Sequence, residues 1–176
     1  MNDTLQRGID RLYLACIWIA GLSILGMSLI IPVGVFARYV LGFGAQWPEP
    51  IAILLMVVFT FFGAAAGYRA GAHIAVGMLT ERLSAAPARA LAVVVDLLML
   101  ATSLFMLVWG SKLVVETMGQ SLAALPWLPV GLTYLPLPLG GLCTLVFVLE
   151  KLAFGPQHQR AVVRFDHGVD DVAQEA

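Results

Sequence analysis

The sequence predicts an all-α integral membrane protein with four transmembrane helices. Of its 176 residues, 60% are hydrophobic and 12% are charged, and the mean hydropathy is +0.91. A soluble domain is nearer half apolar and about a quarter charged. The chain also contains four apolar runs close to the roughly 20 residues that cross a bilayer as a helix. So few charges could not build a water-facing surface around these four runs.

The four runs set the predicted elements in chain order. They define spans at residues 12–37, 50–68, 88–111 and 132–149, inside a transmembrane domain of residues 12–154. The first run is too long for the core of a signal peptide, so we expect it to stay in the mature protein. Pro136 and Pro138 are expected to bend or delay the start of the fourth helix, because proline lacks the amide donor.

The basic residues predict the orientation of the spans, because cytoplasmic loops are enriched in Lys and Arg. Arg38 and Lys112 alone among the ten Lys and Arg residues fall on one side of the membrane. The others fall on the opposite side: Arg7, Arg11, Arg69, Arg82, Arg89, Lys151, Arg160 and Arg164. Both termini are therefore predicted to be cytoplasmic, as a short segment 1–11 and a mobile tail 155–176. Residues 73–87 between spans two and three are compatible with a short interfacial helix.

Asp96 is the one charge in the interior of the third span, whose other charge, Arg89, lies at its start. A central aspartate costs about 3 kcal/mol on the insertion scale, so we expect it to face protein or water rather than lipid. One interpretation is a buried hydrogen-bonding contact to another helix or a partner subunit. The other is a proton or cation ligand. The first is favoured, because no second carboxylate lies at membrane depth to share an ion.

Small residues predict a packing face on the second helix. Gly63, Gly67 and Gly71 are spaced by four, which on a helix forms a smooth stripe that lets another backbone approach. His73 follows this stripe and is interpreted as an interfacial hydrogen-bonding residue, because a haem between two histidines would need a partner within the spans. Cys16 and Cys143 lie inside apolar runs and are interpreted as small hydrophobic residues that face another helix or lipid. No metal site and no cofactor are predicted.

The stretch RYVLGFGAQWPEP, residues 38–50, joins the first two spans. An antiparallel hairpin would bring Arg38 and Glu49 to similar depth, where an arginine fork on the carboxylate would close the hairpin. Half-buried against a neighbouring membrane protein, the same pair would fix orientation. Trp47 fits the aromatic belt of a membrane interface. Lys112 and Glu116 are expected to pair at i and i+4 on one helix face.

Four stretches carry a family resemblance that covers about residues 5–155: RYVLGFGAQWPEP, FFGAAAGYRAGAHIAV, QSLAALPWLP and YLPLPLGGL. In this order and spacing they resemble the small membrane subunit of tripartite ATP-independent periplasmic (TRAP) transporters, the DctQ-like small permease. Arg38, Trp47 and Glu49 match the family's arginine, its tryptophan and the first of its two glutamates. Pro50 stands in the place of the second glutamate.

The resemblance implies a non-enzymatic subunit, without cofactor, of an importer in the bacterial inner membrane. The implied partners are a large elevator-type permease subunit, a periplasmic substrate-binding protein and membrane lipids, with no nucleic acid. Uptake of organic acids would be driven by an ion gradient, commonly sodium. The small subunit would enlarge the stationary scaffold and help dock the binding protein. The candidate interface residues are Arg38, Trp47, Glu49, Gly63, Gly67, Arg69, Gly71, His73 and Asp96.

Two other functions stay open at the level of the sequence. A self-sufficient small dimeric transporter coupled to protons would have to use Asp96, since the first span carries no acid. A membrane anchor subunit of a redox enzyme is disfavoured by the low number of histidines.

Overall fold

A computed structural model describes residues 3–42, 44, 46–71 and 85–155 of the chain. Its helices are α1 (Asp3–Tyr39), α2 (Pro48–Arg69), α3 (Ala85–Thr117), α4 (Val130–Tyr134) and α5 (Pro136–Phe154). Between α3 and α4 lies a two-stranded antiparallel hairpin of β1 (Ser121–Leu122) and β2 (Leu125–Pro129). Among the described residues, four helical segments are long and apolar enough to cross a membrane, with α4 and α5 counted as one. The predicted fold class of four membrane-spanning helices is confirmed, and the small β-hairpin is an addition that the apolar runs did not indicate.

The helices extend past the apolar runs at several ends. The first helix begins at Asp3 rather than at residue 12, and the third continues to Thr117 rather than stopping at residue 111. An apolar run marks the part that lipid can surround, whereas backbone hydrogen bonds and terminal residues decide where a helix stops. The α1 helix ends shortly before Gly42, whose φ of +67° is left-handed. Pro48 then opens α2 in its first turn, where a missing amide donor costs nothing.

The fourth span is broken where the prolines lie. A turn at Leu135 separates α4 from α5, and Pro136 is the first residue of α5. Neither Pro136 nor Pro138 can donate a backbone hydrogen bond, so the helix restarts at these residues instead of running on from α4. This is the bend expected from the sequence.

The four spans pack as a row in the order α1, α2, α5, α3. The extensive interfaces are those of α1 with α2, α2 with α5, and α5 with α3. Burial agrees with this order, since 44% of the most apolar stretch of the fourth span is buried, against 17% for α1 and 11% for α3. The core lies where α1, α2 and α5 meet, around Cys16, Ala65, Cys143, Phe147 and Val148. Both cysteines are free and buried, so of the two environments left open by the sequence they face other helices and not lipid.

Two adjacent glycines let α5 approach both of its neighbours. A Cβ atom added to Gly140 would lie 2.6 Å from the Cβ of Phe61 on α2. One added to Gly141 would lie 3.0 Å from the Cβ of Met106 on α3. Contacts this short leave no room for a side chain, so α5 is fitted between α2 and α3 by these two residues.

The predicted glycine stripe does not continue along α2 as expected, because the helix ends at Arg69, before Gly71. A Cβ on Gly63 would meet nothing closer than Phe59 at 3.8 Å, which is ordinary contact. Gly71 lies beyond the helix end at Arg69, has a φ of +70° and donates its N–H to the Tyr68 carbonyl at 3.1 Å. It is therefore a helix-terminating glycine. Gly67 is partly buried. His73, most of the expected interfacial helix and the tail from residue 156 lie outside the described residues.

Candidate functional site

Six polar side chains from all four spans meet at the end of the row where α1 begins and α2 ends. We call them the charged cluster: Asp10, Tyr68, Arg69, Asp96, Glu150 and Lys151. The same end contains the start of α3 and the last turns of α5, because the spans alternate in direction. Each helix supplies at least one polar side chain at this depth, which allows the cluster to connect all four helices.

Arg69 is the centre of one half of the cluster. Its Nε donates to Glu150 Oε2 at 2.7 Å and its Nη2 donates to Glu150 Oε1 at 2.8 Å. The same Nη2 donates to Asp10 Oδ1 at 2.5 Å. The side chains of Arg69 and Glu150 are 7% and 1% exposed. A two-pronged arginine–carboxylate contact of this kind is among the strongest hydrogen-bonding arrangements in proteins.

Two aromatic rings close around the arginine. The guanidinium carbon of Arg69 lies 4.9 Å from the ring centroid of Tyr13 and 5.5 Å from that of Phe147. The two rings pack edge to face with centroids 6.3 Å apart. The rings attract the cation through their negative faces. They also exclude water, which strengthens the ion pairs.

Asp96 is the acceptor of the other half. Tyr68 donates its hydroxyl proton to Asp96 Oδ1 at 3.0 Å, and the ammonium of Lys151 donates to the same oxygen at 2.6 Å. The ammonium also lies 5.2 Å from the ring centroid of Tyr68. Asp96 thus contacts α2 and α5 from its place on α3. The prediction that it faces protein rather than lipid is confirmed, and its contact is with other helices of the same chain.

The cluster has the chemistry of a structural lock, by which we mean a set of side chains that hold the helices together. Its five ionisable charges are engaged with one another, and its hydrogen bonds cross every interface of the row. Within residues 3–42, 44, 46–71 and 85–155, no three His, Cys, Asp or Glu side chains are placed to hold a metal ion. The candidate interface residue Arg69 is used here inside the chain, so its side chain presents almost no surface to a partner.

Sequence reasoning missed the acidic partners Asp10 and Glu150, and it did not connect Lys151 with Asp96. Asp10 was assigned to a cytoplasmic segment, and Glu150 lies one residue past the predicted fourth span. The sequence did contain a signal for these contacts, because span ends that lie on the same side of the membrane carry residues of opposite charge. Matching these ends by depth would have brought Asp10, Arg69 and Glu150 together.

Two cavities lie at the opposite end of the row. The hairpin groove, of about 340 Å³, runs between the second half of α1 and the first half of α2. The crossing cavity, of about 800 Å³, lies between α2, the end of α3, the β-hairpin and α4. Arg38, Glu49 and Ile53 line both cavities. These three residues therefore mark the place where the two cavities meet.

The predicted ion pair between Arg38 and Glu49 is wrong. Neither residue forms an ion pair or a hydrogen bond with any other residue that the structure describes, although both are exposed and line the same cavities. Trp47, which precedes α2, is 42% exposed beside them. The predicted pair of Lys112 and Glu116 does form, at 3.8 Å, and both side chains are exposed.

The structure thus divides the sequence-predicted candidates between two places. Arg38 and Glu49 come together at the cavities, and Trp47 lies shortly before Glu49 in the chain without lining either cavity; we call this end of the row the hairpin end. Arg69 and Asp96 join the charged cluster. Gly63 and Gly67 lie along α2 between the two ends, Gly71 follows α2, and His73 is outside the described residues.

Comparison with known proteins identifies the family. Residues 27–155 match the family described as tripartite ATP-independent periplasmic transporters, DctQ component. The chain is 32% identical over 139 residues to the C4-dicarboxylate TRAP transporter small permease protein DctQ of Rhodobacter capsulatus, covering 76% of this chain and 60% of that protein. It is 26% identical over 153 residues to a protein of Haemophilus influenzae assigned by name to the TRAP transporter small permease proteins, covering 86% of this chain and 92% of that protein.

The matched region contains both cavities and every member of the charged cluster except Asp10. It also covers more than half of the chain, and the four apolar helices agree with a multi-pass protein of the inner membrane. The chain therefore belongs to the DctQ component family, the small permease subunits of the tripartite ATP-independent periplasmic transporters.

Proposed function

We propose that this chain supports a large TRAP permease subunit as part of its stationary scaffold and helps receive a periplasmic substrate-binding protein at the hairpin end. The observation that carries the proposal is that charged side chains are paired within the chain at one end of the row and unpaired at the other. The charged cluster satisfies its ions within the chain. The exposed Arg38 and Glu49 have no such partner among the described residues, which suits a surface that meets other molecules.

The proposed orientation places both termini and the charged cluster on the cytoplasmic side. The distribution of Lys and Arg supports it, since positive residues accumulate in cytoplasmic segments. The hairpin end then faces the periplasm, where a soluble binding protein would arrive. The name of the Rhodobacter capsulatus relative supports a C4-dicarboxylate or similar organic acid as the transported solute, and we propose a sodium gradient as the driving force.

Replacing Arg38 or Glu49 by alanine is expected to lower uptake severalfold in vesicles that contain the complete transporter. Each change removes one charge from the hairpin end, and charges at the edge of an interface act mainly on the rate of encounter. The effect should therefore shrink as salt is raised, because salt screens exposed charges. Uptake of radiolabelled solute at several ionic strengths, normalised to the amount of inserted protein, measures both effects.

The matched control is the pair Lys112→Ala and Glu116→Ala. These residues also carry exposed charges near the same end, at 70% and 60% side-chain exposure, but they pair with one another away from the cavities. They should leave uptake near the wild-type rate. Equal rates for the Arg38, Glu49 and control variants would contradict the proposed docking role.

The self-sufficient transporter is the second candidate, and the structure makes its test specific. Asp96 would have to bind and release a proton, yet its Oδ1 already accepts from Tyr68 and Lys151. Liposomes that contain only this chain should therefore show no solute accumulation under a proton or sodium gradient. Accumulation that Asp96→Asn abolishes would establish the second candidate and remove the first.

A further inference from the structure

We propose that the hairpin end binds one phospholipid with a phosphate and a primary ammonium in its head group, the chemistry of phosphatidylethanolamine. Arg38 would hold the phosphate, Glu49 the ammonium, and the two acyl chains would enter the hairpin groove and the crossing cavity. The inference concerns a ligand of the chain itself and does not depend on the proposed transport function.

The shape of the site fits a molecule with one head and two tails. Two cavities of about 340 and 800 Å³ adjoin at Arg38 and Glu49, which line both of them and which we call the shared mouth. Away from the mouth their walls are mostly apolar, with Met27 and Met56 in the hairpin groove and Val57 and Phe61 in the crossing cavity. Ile53 stands between the two cavities and lines both of them. Apolar walls of this kind favour hydrocarbon over water.

The charges at the mouth fit a zwitterionic head group. Arg38 and Glu49 are opposite in sign, more than 4.0 Å apart in every nitrogen–oxygen pair, and unpaired among the described residues. A guanidinium can donate two parallel hydrogen bonds to a phosphate. A carboxylate accepts from a primary ammonium, which has three donors. A ligand with both groups would satisfy both side chains at once, where each alone lies beside an apolar cavity.

This chemistry distinguishes the proposed ligand from the other common phospholipids. Phosphatidylglycerol offers Arg38 a phosphate but offers Glu49 no cation. Phosphatidylcholine offers a cation, but its quaternary nitrogen has no hydrogen to donate. Of these three head groups, ethanolamine is therefore the one that can hydrogen-bond both to Arg38 through its phosphate and to Glu49 through its ammonium.

The test reconstitutes the full-length chain in nanodiscs of equal parts phosphatidylethanolamine, phosphatidylglycerol and phosphatidylcholine with identical acyl chains. After gentle extraction into detergent, native mass spectrometry identifies the lipid that stays bound. We expect one lipid per chain, with phosphatidylethanolamine enriched about tenfold over phosphatidylcholine, the ratio that one charge-assisted hydrogen bond supplies.

The variants separate the two halves of the head group. Arg38→Gln should reduce retention of all three lipids, since each carries a phosphate. Glu49→Gln should keep a bound phospholipid but lose the preference for ethanolamine. Ile53→Trp should reduce retention by filling the junction of the cavities. The matched control is Leu98→Trp, an equally bulky change on an exposed face of α3 that lines neither cavity, and it should retain lipid as the wild type does.

Three results would overturn the inference. The first is bound lipid with the composition of the bulk nanodisc, and the second is a wild-type preference for phosphatidylglycerol. The third is unchanged selectivity in Glu49→Gln. None of these results bears on uptake by the complete transporter, so the lipid site and the docking role can fail separately.

Discussion

Arg69→Ala is expected to destabilise the chain by about 3–5 kcal/mol, the usual cost of leaving a buried charge without its partner. Glu150, whose side chain is 1% exposed, would lose two hydrogen bonds, and Asp10 would lose one. For a chain of this length the loss corresponds to a fall in Tm of roughly 6–20 °C. Thermal unfolding of the purified protein in detergent, followed by tryptophan fluorescence, measures it.

Two further variants show whether charge or volume is responsible. Arg69→Lys should recover only part of the loss, because an ammonium cannot reproduce the planar two-pronged contact. The triple change Arg69→Met, Glu150→Gln and Asp10→Asn should recover most of it, since removing all the buried charges together leaves none unpaired. Lys112→Ala should change Tm little, because that pair is exposed. An Arg69→Ala protein as stable as Lys112→Ala would show that the cluster is not a lock.

Gly140→Leu is expected to separate α5 from α2 and to destabilise the chain by about 1–3 kcal/mol, the usual cost of overpacking, or more. A Cβ at this position would meet not only the Phe61 side chain at 2.6 Å but also the Phe61 carbonyl carbon at 3.2 Å. Backbone cannot rotate away as a flexible side chain can, so the helices must move apart. The measurements are Tm in detergent and the yield of monodisperse protein after membrane extraction.

The control for this prediction is Gly63→Ala. The nearest atom to a Cβ at Gly63 is 3.8 Å away, so the methyl group fits. Alanine is also the better helix former by up to about 1 kcal/mol. The variant should be as stable as the wild type or slightly more stable. A loss of stability equal to that of Gly140→Leu would restore the sequence-based stripe as the main packing face.

The membrane spans could be predicted from the sequence because every residue of a run that faces lipid has to meet the same simple demand, that its side chain be apolar. A helix must be apolar over about 20 residues to cross a bilayer, and composition alone reports this. The break near Leu135 was predictable for a similar reason, since Pro136 and Pro138 act on the local backbone. Where the chain leaves the membrane this demand ends, so the starts and ends of α1 and α3 did not follow from hydropathy.

The contacts between helices were harder to predict than the helices. The spacing of Gly63, Gly67 and Gly71 suggested a packing face, but the tightest approaches are at Gly34, Gly131 and Gly140, which have no such spacing. Arg38 and Glu49 are close in sequence and were expected to pair, whereas Arg69 pairs with Glu150, which is distant in sequence. Periodicity describes one helix, and the partner of a side chain depends on the order in which helices pack.

That order, a row rather than a square, has a mechanical consequence. The outer spans, α1 and α3, each share an extensive interface with one other span alone, the second and the fourth respectively, so the chain is elongated in the membrane plane and its tilting disturbs more lipid than the tilting of a compact bundle of equal mass. In the proposed scaffold role, an elongated subunit of this kind attached to a moving permease would resist tilting of the whole complex in the membrane.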